Sequence, residues 1–407
     1  MHDRVALRGG RRPRLCFVAH NAYGMLAGRP SRHSGGVERY QSLIARWFAE
    51  QGYEVSLVTW DEGQAADASV AGVRVIKMCR AEAGLPGLRF WHPRWTSLVR
   101  ALRMANADLY QYASANRGLG QLVLWCRARR RVCVFLLLAD AGVDPRLPHL
   151  SARRERVLYR YGLRHVDRVM VQTCSQQERL RLNFGAESTP VPMPGEALAP
   201  TEHGVRDPAA EPLTRVIWVG RFSGEKRLEW LLDVAEQCPE VGFDVVGAPN
   251  AETRYATELA RRAAAIPNVS LHGRISDNGR LAALYRQAGL LCCTSTTEGF
   301  PNTFLEAWSH GLPIVSTFDP DGLIAGRGLG AAADSVPGLV EGIRGLLRSP
   351  ARYRIAAERA RRHYLENHTV AAALPRIERV FLEALGAGDA SGHSVAPGTW
   401  DARQPLT

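Results

Sequence analysis

The chain has 407 residues, 46% of them hydrophobic, and a net charge of +12. That length allows two or three domains with real cores, and the longest apolar run, Val132 to Ala139, is far too short to span a bilayer. The positive balance favours anionic partners, yet no aromatic RNA-binding motif, zinc finger or helix-turn-helix accompanies the arginines, so no nucleic-acid partner is expected.

Residues 1–13 read as a flexible tail. Arg4, Arg8, Arg11 and Arg12 precede only the short apolar block Leu15 to Ala19, which suits a first strand better than a secretory core segment. Strand-like runs follow at 15–20, 55–59, 73–78, 109–112, 132–138 and 168–172, with helices over about 37–51, 118–129 and 151–165. Such alternation predicts a parallel sheet covered by helices. Between 187 and 215 the rhythm breaks: Pro190, Pro192, Pro194, Pro200, Pro208 and Pro212 crowd one window with Gly195 and Gly204, the composition of a connector. Alternation then resumes, with strands at 216–219, 243–246, 269–272, 290–293 and 314–316. Helices are predicted over 228–237, 252–266, 278–288, 303–310, 336–347 and 351–367. The predicted organisation is one α/β domain over 14–195, a linker over 196–214 and a second α/β domain over 215–367. A helix over 368–385 returns to the first domain, and a disordered Gly-, Ala-, Ser- and Pro-rich tail covers 386–407. The fold class is α/β, with two Rossmann-like doubly wound domains facing across a cleft, since ligands of open parallel sheets sit beyond the carboxyl ends of the strands.

The eight cysteines form no CxxC pair, and Cys16, Cys133, Cys174, Cys292 and Cys293 lie in apolar contexts. Reduced thiols of a cytoplasmic protein are the expectation. The twelve histidines make no ligand-spaced cluster with them, so no metal is expected.

Several turns carry candidate chemistry. Gly35 and Gly36 precede the first long helix and leave its start open to phosphate, though a plain glycine turn has the same composition. Gly220-Arg221-Phe222-Ser223-Gly224-Glu225-Lys226 follows the first strand of the second half. Arg221 and Lys226 can neutralise a diphosphate there, and cations at a helix start are otherwise disfavoured by the dipole. Gly247 ends the next strand, and Ile275 follows the one after; both suit a base and ribose or an ordinary strand-to-loop turn. Asp140 and Asp144 follow the strand 132–138, where a carboxylate can orient a hydroxyl acceptor or cap a turn. Most informative is Glu298-Gly299-Phe300-Pro301-Asn302-Thr303-Phe304-Leu305-Glu306. Its helix start can receive an anion, and its two carboxylates can grip sugar hydroxyls. Alternatively, Thr303-x-x-Glu306 is a capping box.

Together these residues resemble the retaining GT-B glycosyltransferases of family four over roughly 14–380. The matching features are Glu298 and Glu306 around the Gly-Phe-Pro-Asn turn, Arg221 with Lys226, and Gly35 with Gly36. The resemblance implies that Arg221 and Lys226 hold the donor diphosphate and that Glu306 binds ribose hydroxyls. It places Glu298 by the donor sugar, with the backbone of Phe300, Pro301, Asn302 and Thr303 against sugar and phosphate. One departure stands out: where many members have a histidine after the strand at 132–138, this chain has Ala139-Asp140, and Asp140 is the candidate there.

The expected activity is transfer of a sugar from a nucleoside diphosphate sugar to a hydroxyl acceptor with retention, in polysaccharide or glycolipid assembly. No cofactor beyond the donor is expected. The basic first half fits a lipid-linked acceptor and peripheral contact with an anionic membrane at its inner face. Competing readings are a sugar-nucleotide epimerase or hydrolase on the same frame, a basic nucleic-acid-binding protein, and a nicotinamide oxidoreductase, which the missing glycine fingerprint disfavours.

Overall fold

The computed structural model describes residues 11–29, 35–198, 213–249 and 253–386. Most of the 1–13 tail, most of the 196–214 linker, nearly all of the 386–407 tail and Ser34 lie outside the described residues. The chain divides into two compact units. Among the described residues, one runs to Val191 and includes Leu374 to Gly386; the other runs from Pro192 to Ala373.

The first unit is built on eight strands: β1 (Arg14–Val18), β2 (Glu54–Thr59), β3 (Ser69–Val70), β4 (Val73–Lys77), β5 (Leu109–Tyr112), β6 (Val132–Leu136), β7 (Arg168–Val171) and β8 (Thr189–Pro190). Their order is β3-β4-β2-β1-β5-β6-β7-β8, parallel throughout except for the β3–β4 pair. The central strands are buried along their length, as a sheet covered on both faces requires. The covering helices are α1 (Tyr23–Leu26), α2 (Gly36–Glu50), α3 (Thr96–Ala105), α4 (Gly118–Arg129), α5 (Arg153–His165) and α6 (Cys174–Phe184). Helix α2 shows why: Tyr40, Leu43, Ile44 and Phe48 recur at helical spacing and are buried, so one stripe faces the sheet.

The second unit has six parallel strands: β9 (Arg215–Val219), β10 (Gly242–Val246), β11 (Val269–Gly273), β12 (Leu290–Cys293), β13 (Ile314–Ser316) and β14 (Gly330–Ala332). Their order is β11-β10-β9-β12-β13-β14. Its helices are α7 (Leu228–Gln237), α8 (Arg254–Ala265), α9 (Asn278–Gln287), α10 (Asn302–Ser309), α11 (Leu323–Arg327), α12 (Val336–Leu347) and α13 (Pro350–Asn367). Helix α14 (Val370–Ala384) follows and belongs mostly to the first unit. There Phe381 stacks on Phe48 with ring centroids 5.2 Å apart, and the hydroxyl of Tyr53 meets Glu378 at 2.5 Å.

Both sheets have the doubly wound order: strands are added outward from a central strand, and the chain then crosses back to add the rest on its other side. The reversal falls between β1 and β5 in one unit and between β9 and β12 in the other. Loops leaving the carboxyl ends of those strand pairs border the crevice where such sheets bind ligands. The α/β class with two Rossmann-like units is the fold read from the sequence. Helices α3 and α6 and strand β14 were not anticipated. Strand β14, Gly-Ala-Ala, lacks the apolar bulk that marks a strand. Helix α6 depends on a local cap, with the Thr173 hydroxyl accepting from the Gln176 amide.

Candidate active site

In the second unit the loops after β9 and β12 are sewn together. Thr294 Oγ1 donates to the Lys226 carbonyl at 2.6 Å and accepts from Trp218 Nε1 at 3.0 Å. Arg227 Nε donates to the Thr294 carbonyl at 2.8 Å, and the Thr296 amide donates to the Glu225 carbonyl at 2.9 Å. Arg227 adopts a left-handed backbone (φ 45°) between the turn at 224–226 and α7, with its guanidinium 3.8 Å from the Trp230 ring centroid. This mesh fixes the direction of Lys226, whose ammonium meets the Glu298 carboxylate. Both side chains are mostly buried, at 20% and 16% exposure. Arg221 behaves differently: its side chain is 54% exposed and pairs with Glu225 at 3.0 Å. Lys226 and Glu298 are therefore joined, whereas Arg221 stands one contact further out.

Helix α10 begins at Asn302. Its N-cap is Pro301, and no side chain caps it, so the first amides of an eight-residue helix are left to an outside acceptor. Phe300 anchors the turn from below, its ring 5.1 Å from His368 and 6.1 Å from Trp308. Thr303 lies inside the helix, not at its cap, so Thr303 and Glu306 do not form the capping box that their spacing allowed. Glu306 is 6% exposed, and its Oε2 accepts from the Tyr285 hydroxyl of α9 at 2.8 Å. Tyr285 in turn stacks on His310 at 5.5 Å.

The glycines have backbone reasons for their identity. Gly247 sits at φ +143°, and a Cβ there would overlap the Gly220 carbonyl. The Gly220 amide donates to the Val246 carbonyl at 3.0 Å, and the Gly247 amide donates to the Gly273 carbonyl at 2.8 Å. These contacts draw the carboxyl ends of β9, β10 and β11 together. Ile275, half-buried, lies between β11 and α9.

In the first unit, Gly35 is the N-cap of α2 and has no side chain to bond the first amides. A Cβ on Gly35 would lie 2.7 Å from Glu38 Oε2, so the Glu38 carboxylate folds back over the helix start. Gly36 is exposed. Asp140 opens a single helical turn after β6. Its Oδ1 accepts from Gln176 Nε2 at 2.9 Å and its Oδ2 from Arg179 Nη1 at 3.0 Å, so both oxygens are engaged by α6. Asp144 accepts from the Arg146 amide within a turn.

Sequence reasoning passed over His20. It leaves the carboxyl end of β1, at the strand reversal, and stacks on Trp60 at 4.7 Å. Burial, then Arg117 and Arg94, lower its pKa to about 4. The only local signal was a histidine directly after an apolar run. Among the described residues no three His, Cys, Asp or Glu side chains form a metal-binding group, and no helix is long and apolar enough to cross a membrane.

Comparison with known proteins agrees with this layout. Residues 35–195 match the model of the glycosyl transferase 4-like domain, and residues 214–349 match the glycosyl transferases group 1 model. A 106-residue stretch is 33% identical to the GtfA subunit of a UDP-N-acetylglucosamine–peptide N-acetylglucosaminyltransferase from Streptococcus parasanguinis, covering 25% of this chain and 20% of that protein. The match thus spans about a fifth of that relative's length. Among solved structures, sucrose-phosphate synthase from Thermosynechococcus elongatus superposes with a TM-score of 0.71 at 17% identity, covering 92% of this chain and 100% of that one. HepE from Anabaena, solved with UDP and glucose, gives 0.70 at 18% identity over 91% of this chain and 99% of its own. At such identities the likeness is one of fold, the GT-B fold. With a glycosyl transferase 4-like domain over 35–195 followed by a glycosyl transferases group 1 domain over 214–349, the chain is a two-domain glycosyltransferase.

Proposed function

We propose that the protein transfers a sugar from a nucleoside diphosphate sugar to a hydroxyl acceptor, with retention at the anomeric carbon and without a metal. The observation that carries this reading is the Lys226–Glu298 pair beside the uncapped start of α10, at the strand reversal of the second unit. As the glycosidic bond loosens, negative charge grows on the departing diphosphate. Once the donor is bound, an ammonium and helix amides already in place stabilise that charge without further reorganisation. In this reading Lys226 turns from Glu298 to the diphosphate, and Arg221 leaves Glu225 to join it. Glu298, released, accepts from the sugar hydroxyls, while Phe300, Pro301, Asn302 and Thr303 present backbone to sugar and phosphate. Glu306 accepts from the ribose, with Tyr285 holding its other contact. Gly220 and Gly247 hold together the strand ends beneath the donor, with Ile275 on the next loop, and Gly35 with Gly36 offers a second uncapped helix start, in the first unit. Asp140 serves by bracing the loop after β6 against α6. The acceptor hydroxyl forms the new bond to the anomeric carbon as the bond to the diphosphate breaks, and its proton passes to a departing phosphate oxygen.

A uridine nucleotide is the donor to test first, because the named relative uses a UDP-sugar and the Anabaena structure holds UDP. The arginine-rich first unit favours an acceptor carried on a lipid at the cytoplasmic face of an anionic membrane, as in glycolipid or polysaccharide assembly. An epimerase or hydrolase would give product without acceptor, which product analysis distinguishes.

Thermal shift across a panel of nucleotide sugars tests the donor site. A donor present at about 100 times its Kd should add roughly 2.7 kcal/mol of apparent stability; no shift with any member overturns the reading. Glu306→Gln keeps an oxygen for the Tyr285 hydroxyl. It should fold within about 1 kcal/mol of the parent yet weaken donor binding by at least roughly tenfold, the value of one charged hydrogen bond. Unchanged donor affinity removes Glu306 from the site.

A further inference from the structure

Between β4 and α3 the chain makes an excursion that the transfer chemistry does not use. Residues 83–88, Ala-Gly-Leu-Pro-Gly-Leu, carry no charge, and they lead into an irregular helical turn at Phe90–Trp95. Leu85 is 70% exposed, Leu88 63% and Trp91 59%, an unusual concentration of large apolar side chains in water. Trp91 is held rather than loose: it stacks on Trp95 at 5.0 Å and 10° and meets the buried Phe90 edge-on at 4.8 Å. The rim is cationic. Arg89 is exposed. The Arg154 guanidinium at the start of α5 lies 5.0 Å from the Phe90 ring centroid, and Arg153 beside it is exposed.

We propose that this face docks on an anionic lipid surface, with Leu85, Leu88 and Trp91 entering the interfacial layer and Arg89, Arg153 and Arg154 meeting lipid phosphates. Tryptophan is at home in that layer, and aliphatic side chains add binding by leaving water. Arginines around an apolar tip supply the attraction to a negative surface. A glycan stacking on Trp91 is the rival occupant. One Trp91 face is already taken by Trp95, and two exposed leucines offer a sugar nothing to bond, so lipid is favoured. The segment leaves the carboxyl end of β4, the same edge of the first sheet that carries Gly35 and Asp140. The inference deepens the lipid-linked acceptor reading, but donor binding measured in solution is independent of it, so the two can fail separately.

The test is flotation of the full chain with phosphatidylcholine vesicles, with and without phosphatidylglycerol. The protein should float with the anionic vesicles and scarcely with the neutral ones, and added salt should reduce it. Leu85→Ser/Leu88→Ser/Trp91→Ser should lower partitioning at least roughly tenfold, with an unchanged melting temperature and unchanged donor-induced shift. Lipids bearing a quencher in the acyl region should dim the parent's fluorescence more than that of Trp91→Phe, a second readout that does not need the triple variant to fold. Absence of flotation with anionic vesicles overturns the proposal. So does flotation that survives the triple substitution, or a triple variant that floats normally but loses transfer to a water-soluble acceptor.

Discussion

Lys226 shows how one side chain is tuned by the bonds around it. Its own carbonyl accepts from Thr294, and its neighbours are tied to the β12 loop, so the ammonium has one principal direction and Glu298 lies along it. Lys226→Met keeps the length of the side chain and removes the charge. Transition-state stabilisation from one fixed charged donor is worth about 3–4 kcal/mol, so kcat/KM should fall roughly 10²- to 10³-fold, mostly in kcat. The variant also strands a mostly buried Glu298, at a stability cost of about 1–3 kcal/mol, which a melting curve reads separately. Arg221→Ala, at an exposed side chain already paired with Glu225, should cost less in both. Equal kinetic losses for the two variants would refute the idea that Lys226 is the inner cation. From the sequence, both cations belonged to one turn with no means of ranking them. Rank depends on contacts to residues about seventy positions away, which no local pattern encodes.

At the scale of elements, the second sheet depends on glycine where three strand ends converge. Gly247 is the tightest point: its φ of +143° is strained for any other residue, and the Gly220 carbonyl occupies the place of a Cβ. Gly247→Ala should therefore cost at least about 2–3 kcal/mol, read as a lower urea midpoint, and it should also weaken donor binding by shifting the β9 loop. A midpoint equal to the parent's would show that the backbone relaxes there freely. The strands and most helices were legible because apolar runs and helical stripes alternate so regularly. Boundaries were less so: a capping box needs Thr303 as the N-cap and a helix from 304, whereas α10 starts at Asn302 and has Thr303 inside. Helix α3 and the excursion before it went unread because 79–96 mixes exposed Leu and Trp with arginines and matches neither period. Of the candidate site, the sequence indicated Glu298, Glu306, Lys226 and the glycines, but not Tyr285 or Thr294, which meet their partners only through the fold. Asp140 was visible as a strand-end acid; its attachment to Gln176 and Arg179 was not.

For the molecule as a whole, histidines set the acid limit of stability. His363 and His368 are fully buried, with their Nε2 atoms 3.2 Å apart. His368 Nδ1 is 2.8 Å from the Met193 carbonyl, an acceptor only, so Nδ1 carries the proton and Nε2 accepts from His363 Nε2–H. Asn367 Nδ2, 3.3 Å from His363 Nδ1, completes a chain in which both rings are neutral. Burial, with His368 and Arg327, pushes the His363 pKa down to about 2, and burial lowers that of His310 too. In the first unit His20 falls to about 4. In each case the unfolded chain binds a proton that the native state refuses. Stability is therefore complete above the ordinary value of 6.5 and declines as pH drops below it, by up to about 1.4 kcal/mol per pH unit for each of His363 and His20, with His310 acting in the same direction. Carboxylates with lowered pKa, such as Asp244 beside Arg215, act mainly below about pH 5, and Asp319, whose pKa burial raises, acts in the opposite sense, so the interval from about 6 to 5 is dominated by the histidines. Melting temperature should fall steeply across that interval. His363→Gln, which preserves a donor toward His368, should be less stable at neutral pH but show a shallower fall. A slope identical to the parent's would mean that His363 titrates normally in the folded protein and that the neutral pair beneath Phe300 does not exist.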